Sequence, residues 1–168
     1  MGLAALVGVG ATLWFLAQTT RHVTGLKPPD VLLPDDAPSV PDRIRIMELV
    51  CRSATNKVAD GARKTASACF LAIGDGQDPP RELLAALGDL PFPVRRYSAG
   101  EWEDGHIMDK KTGTSGLALT IRRMWMRTRN EVHVRVRLDA GGTGPREFVC
   151  TVTRADDQWK VTSLEPLM

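Results

Sequence analysis

Residues 131–163, EVHVRVRLDAGGTGPREFVCTVTRADDQWKVTS, decide the fold. Val132, Val134, Val136 and Leu138 alternate with His133, Arg135 and Arg137, the two-residue period of a strand with one face buried and the other in water. Gly141-Gly142-Thr143-Gly144-Pro145 supplies a hairpin loop, and Phe148, Cys150 and Val152 then take the inward face of a return strand. Ala155-Asp156-Asp157 turns the chain again into Gln158–Leu164, with Trp159 and Val161 inward. Turns this short join antiparallel neighbours, so three long antiparallel strands in succession end the chain.

Upstream, Leu117, Leu119 and Ile121 alternate with Ala118 and Thr120 after a turn at Asp109-Lys110-Lys111-Thr112-Gly113, and Val94–Ser98 is a shorter candidate strand. Strict alternation would carry Arg123 into the core between Ile121 and Trp125. An unpaired buried guanidinium is costly, so a bulge at Arg122-Arg123 is expected, turning Arg123 outward and bringing Met124 and Met126 in. Before Val94 the period changes. Ser39 with Asp42 three residues on reads as a capping box, and Ile44, Met47, Val50, Cys51, Ala54 and Val58 come at helical spacing, predicting a helix over 40–60 closed by Gly61. Ala68–Ile73, bounded by Gly74-Asp75-Gly76, reads as a short buried strand. Asp78-Pro79-Pro80 offers a cap and a first-turn proline to a second helix with Leu83, Leu84, Leu87 and Leu90 on its apolar face, stopped by Pro91 and Pro93.

Helix, strand, helix and then an antiparallel meander ending in Val152-Thr153-Arg154-Ala155-Asp156-Asp157-Gln158-Trp159-Lys160-Val161-Thr162-Ser163 resembles the nuclear transport factor 2-like fold over residues 40–168. The resemblance implies an α+β cone, two helices packed on a curved, mainly antiparallel sheet; the strand between the helices departs from that pattern. Enzymes of this fold place an acid, histidine or tyrosine in the cone, desolvated to suit proton transfer, whereas the inward positions here are Val, Leu, Ile, Phe, Cys and Trp. A tethered domain of this kind is similar to assembly-platform subunits of some bacterial secretion machines.

The tether is read from the other end of the chain. Residues 2–17, GLAALVGVGATLWFLA, carry no charge, and a helix of about 19 residues from Gly2 to Thr20, within an anchor over 1–20, would rise about 28 Å, close to the hydrocarbon thickness. The apolar run starts directly after Met1 without a basic n-region, which favours a single-pass transmembrane anchor over a cleaved signal peptide. Trp14 and Phe15 suit the membrane interface, and Ala4, Gly8, Ala11 and Thr12 form a small-residue stripe on which another membrane helix could pack. Arg21 and Lys27, taken literally under the positive-inside rule, put the carboxyl-terminal domain in the cytoplasm; the signal-like position of the segment and the extended linker place that domain on the extracytoplasmic, periplasmic side. Residues 21–41 form the linker, with five prolines between Thr24 and Pro41, and a soluble domain occupies 42–168. Val31, Leu32 and Leu33 interrupt the linker's polarity.

The whole chain, at 168 residues, 43% hydrophobic and net charge +2, excludes collagen-like, disordered and strongly nucleic-acid-like classes. The charges nevertheless segregate. Residues 122–137 are rich in arginine and 75–109 predominantly acidic, so His133, Arg135 and Arg137 form a candidate basic interaction face for anionic lipid or an acidic partner. Salt bridges to the acidic segment or to a partner subunit are the simpler reading. Interleaved aromatics for base stacking are missing, which sets nucleic acid aside. Glu101–Asp109 lacks the ligand period of a calcium loop and the paired His or Cys of a zinc site, and reads as a solvated loop. Cys51, Cys69 and Cys150 fall on apolar stripes without C-x-x-C spacing, either as three buried thiols or as one disulfide and one thiol. No catalytic residue, metal ligand set or cofactor is singled out. The expectation is a membrane-anchored, non-catalytic interaction domain, an accessory or scaffold subunit in a multi-subunit membrane complex, whose partners are other membrane subunits and the bilayer. The alternative is an extracytoplasmic small-molecule-binding domain or an enzyme of the cone fold.

Overall fold

The computed structural model describes residues 37–58, 66–141 and 144–167. The apolar segment with Ala4, Gly8, Ala11 and Thr12, its flanking Arg21 and Lys27, and the linker's Val31–Leu33 lie outside those residues. Among the described residues no helix is long and apolar enough to cross a membrane.

The first helix, α1 (Val40–Asn56), starts as its cap dictates: the Ser39 hydroxyl accepts the Asp42 N–H at 3.2 Å and donates to Asp42 Oδ2 at 2.8 Å. It ends four residues before the expected Asp60, with Lys57 as its C-cap. The buried strand β1 (Cys69–Ile73) comes next, then α2 (Arg81–Ala86), only six residues long. Asp78 does not cap α2. Its carboxylate instead accepts the Ser98 N–H at 2.9 Å and the Ser98 hydroxyl at 2.6 Å, and Pro80 takes the cap position without a side-chain bond. Strand β2 (Val94–Arg96) is shorter than its sequence suggested, because Tyr97–Ala99 turns into a 3₁₀ helix.

Glu101–Asp109 corrects a second expectation. It is a β-hairpin, β3 (Gly100–Glu103) and β4 (His106–Asp109), turning at Asp104 and Gly105 with φ of 48° and 78°. Two consecutive left-handed residues make the turn whose twist matches its flanking strands. The rest is a meander of β5 (Ser115–Thr128), β6 (Glu131–Asp139), β7 (Arg146–Ala155) and β8 (Gln158–Pro166). Asp156 and Asp157, at φ 51° and 59°, form the β7–β8 turn.

The strands join in one curved sheet of order β2-β1-β5-β6-β7-β8. From β5 onward the pairing is antiparallel, but β1 lies parallel to both β2 and β5, so the α+β domain carries a mixed sheet. The passage β1–α2–β2 is a helical crossover, which parallel neighbours require. Opposite Ile121–Arg123 the β5–β6 register shifts, leaving Arg122 as the extra residue. Arg123 is thereby exposed opposite Arg135, and Met126 is buried opposite Val132, as the cost of burying an arginine demanded.

One face of this sheet packs on the helices. Ile46, Val50 and Ala54 of α1 and Leu83 of α2 are fully buried with Leu71, Leu119, Val134, Val136 and Cys150. Trp159, 6% exposed, closes the end of this core: its Nε1 donates to Asp42 Oδ1 at 2.9 Å, and the Arg154 guanidinium lies 5.8 Å from its ring. Arg52 ties the helices together, donating to Glu48 at 2.9 Å, to Asp89 at 2.6 Å and to the Ala86 carbonyl at 2.8 Å.

The opposite face is partly covered. The β3–β4 hairpin folds back over it and seats Ile107 against Phe70, Ala68 and Ala118 in a second, smaller core. The fit leaves no room at Gly116 on β5, where a Cβ would stand 2.6 Å from both the Ala68 carbonyl oxygen and Phe70 Cε2. Gly116→Ala is therefore expected to destabilise the domain by about 2–3 kcal/mol through overpacking, read as a lowered urea midpoint; an unchanged midpoint would contradict this close passage of β5 over β1.

Candidate functional site

Alternation sends His133, Arg135 and Arg137 of β6 to the face away from the helices, as the sequence predicted. Each stands beside a carboxylate there. His133 Nε2 lies 2.7 Å from Glu131, Arg135 Nε donates to Glu147 at 2.7 Å, and Arg137 stands 3.9 Å from Asp139. The basic row is thus answered by carboxylates of its own sheet, Glu131, Asp139 and Glu147, and not by the acidic segment. The His133 ring also meets the Trp125 indole edge-on at 5.6 Å. Arg122 and Arg123, beside the bulge, are exposed, and no hydrogen bond or ion pair engages either side chain among the described residues.

Where the hairpin overhangs this face it leaves a cleft of about 330 Å³. Ala118, Thr120 and Arg122 of β5 and Arg137 of β6 form its floor, and Tyr97 and Trp102 one wall. Thr120 and Arg137 are direct cross-strand partners; Arg122 is two residues along from Thr120, about 7 Å on an extended strand. Trp102 is 47% exposed, and its Nε1 donates to the Tyr97 hydroxyl at 2.8 Å. The turn Gly74-Asp75-Gly76 forms the rim beside Tyr97, with the Gly74 N–H bonded to the Ile121 carbonyl at 2.8 Å. Sequence reasoning missed Arg122, Thr120, Trp102 and Tyr97 as a group; the bulge at Arg122 was the one legible signal, since bulges re-aim side chains near functional sites.

The wall is held in place electrostatically. Asp109 of β4 is buried, ion-paired with Arg95 of β2, and accepts the Lys111 N–H at 2.8 Å. That backbone bond and the Arg95 charge hold its carboxyl below the usual range. The Ser39 and Trp159 hydrogen bonds do the same for Asp42, and those from Ser98 for Asp78. At Glu48 burial pushes upward, but Arg45 and Arg52 outweigh it and the net shift is down. The three cysteines are buried free thiols. Burial raises Cys69 to about 12 and Cys150 to about 11, and Cys51 is raised by burial and by those two neighbouring thiols. Among the described residues no three His, Cys, Asp or Glu side chains are grouped to hold a metal.

Compared with known protein families, with curated proteins and with solved structures, the chain matches none.

The depressed carboxylates fix a pH dependence. A carboxyl whose pKa is lower in the folded state stabilises fully above its unfolded value, near pH 4, and loses that contribution as pH falls through the folded value. Urea midpoints are expected to be flat from about pH 7 to 5 and to fall below about pH 4. Asp109→Asn lowers the midpoint at neutral pH, and its curve converges on the parent's in acid; two parallel curves would remove Asp109 from this account.

Proposed function

We propose that the chain is a single-pass, membrane-anchored interaction domain, an accessory subunit of a multi-subunit membrane complex that recognises its partner through the outer face of the sheet. The observation that carries the reading is the asymmetry of the two faces. The helix-side face is filled by aliphatic side chains and Trp159, whereas the outer face stays open beyond the hairpin and presents Arg122, Arg123 and the β6 row beside its carboxylates. Rigid polar groups on a sheet are suited to a partner of complementary charge, because their geometry is set before contact. The uncharged stretch at residues 2–17 and the proline-rich linker support a tethered arrangement on the extracytoplasmic side, and the resemblance to the nuclear transport factor 2-like cone supports a binding scaffold, since such folds host many functions.

A second reading is favoured by the cleft. Its volume is at the lower end of small-ligand pockets, and it gathers donors and aromatic rings from segments far apart in sequence. On this reading the domain also holds a small molecule at the outer face.

Purification of the full chain from membranes in mild detergent is expected to bring down stoichiometric partners. Arg123→Glu, at an exposed residue without an ion-pair partner among the described residues, is expected to release them while leaving the unfolding free energy from urea titration within about 0.5 kcal/mol of the parent. A clean monomer from native membranes, or partners indifferent to Arg123→Glu and to Arg122→Glu alike, would refute recognition through this face.

A further inference from the structure

Two guanidiniums, Arg122 and Arg137, and the Thr120 hydroxyl line the cleft beside two carboxylates, Asp75 and Asp139. Asp139, 8% exposed, accepts the Gly141 N–H at 3.1 Å through one oxygen, and its other oxygen stands 3.9 Å from the Arg137 guanidinium, beyond hydrogen-bond reach. One Asp139 oxygen is thus engaged by the backbone, and no hydrogen bond occupies the Arg137 guanidinium among the described residues. Thr120 brings a hydroxyl beside it. Arg122 adds a guanidinium with no ion pair among the described residues, and it stands there because the bulge withdraws it from the β5–β6 pairing. Two guanidiniums and a hydroxyl on adjacent strands make a cradle for an oxyanion, since guanidinium groups have no acceptor and match a carboxylate's two oxygens. Asp75 lies in the exposed turn at the rim, where water screens it.

The wall has a different chemistry. The Trp102 indole has donated its only N–H to Tyr97, so what this exposed residue offers a ligand is ring surface. The Tyr97 ring is backed by the Gly74-Asp75-Gly76 turn, where a Cβ on Gly76 would stand 3.6 Å from Tyr97 Cε1. Donors along the floor and fixed rings on the wall call for a ligand with an anionic head and a flat body. A cleft of about 330 Å³ holds one ring and its acid group, not a nucleotide.

We propose that this cleft binds a small aromatic carboxylate, its carboxylate among Arg122, Arg137 and Thr120 and its ring against Trp102 and Tyr97. The proposal deepens the small-molecule reading above and rests on it. The test is ¹⁹F NMR titration of the full chain in mild detergent with 4-fluorobenzoate and its neutral isostere 4-fluorobenzamide, with inorganic phosphate as competitor. The parent chain is expected to bind the benzoate at least about tenfold more tightly than the benzamide, the difference made by charge-assisted hydrogen bonds. Arg122→Ala is expected to cost about tenfold and Arg122→Lys less; Trp102→Ala weakens benzoate and benzamide alike, and Arg127→Ala, an exposed arginine outside the cleft, changes nothing. Equal binding of the two probes, lost together in Trp102→Ala, would overturn the anionic class and leave the small-molecule reading standing. Phosphate displacing benzoate as well as benzoate itself would overturn the role of the ring. Equal losses in Arg127→Ala and Arg122→Ala would reduce the effect to general surface charge, and no binding of any probe at about 10 mM would overturn both the ligand class and the reading it rests on.

Discussion

Strand β5 is hydrogen-bonded along both of its edges, parallel to β1 on one side and antiparallel to β6 on the other, and over its first residues also to β4. A strand so confined cannot slip, because a shift of one residue would send Leu117, Leu119 and Ile121 out of the core and Thr120 into it. The sequence of β5 nevertheless obliges the period to break once, where Arg122 and Arg123 come after Ile121. The bulge reconciles the two demands. It keeps the helix-side core continuous through Met124 and Met126, and it gives the outer face two adjacent arginines, one of which reaches the cleft.

The charges are arranged in the same spirit of local closure. Glu48 is buried between Arg45 and Arg52, Asp109 takes Arg95, and Arg135 and Arg137 of β6 each have a carboxylate within their own sheet. Exposed pairs of this kind contribute little to stability individually, commonly less than about 1 kcal/mol. Their effect is geometric: they restrict where long side chains point. A face that looks basic along the chain is therefore close to balanced in space, and Arg122 and Arg123 become its distinguishing feature.

The parts of the fold that were legible in the sequence are those governed by local period and local turns. The β5–β8 meander, the bulge, the Ser39 cap and the inward placement of Trp159 arise from residues within a few positions of one another. What escaped was decided at long range or by a turn hidden in acidic composition. The Asp78 carboxylate bonds Ser98 across 20 residues in place of the adjacent helix end, and the parallel pairing of β1 joins segments that no periodicity connects. Asp104-Gly105 is a strong hairpin signal, but Glu101, Glu103 and Asp104 around it read as a solvated loop. The cleft depends on that hairpin, and its floor, wall and rim come from three separate stretches of chain; only the displaced Arg122 was visible beforehand.

The three cysteines lie together inside the helix-side core, with their thiols held protonated by burial. Disulfide exchange and oxidation proceed through the thiolate, so these groups respond to neither an oxidising nor a reducing milieu while the core stays shut. The folded domain therefore holds all three as free thiols, with no disulfide in its covalent structure.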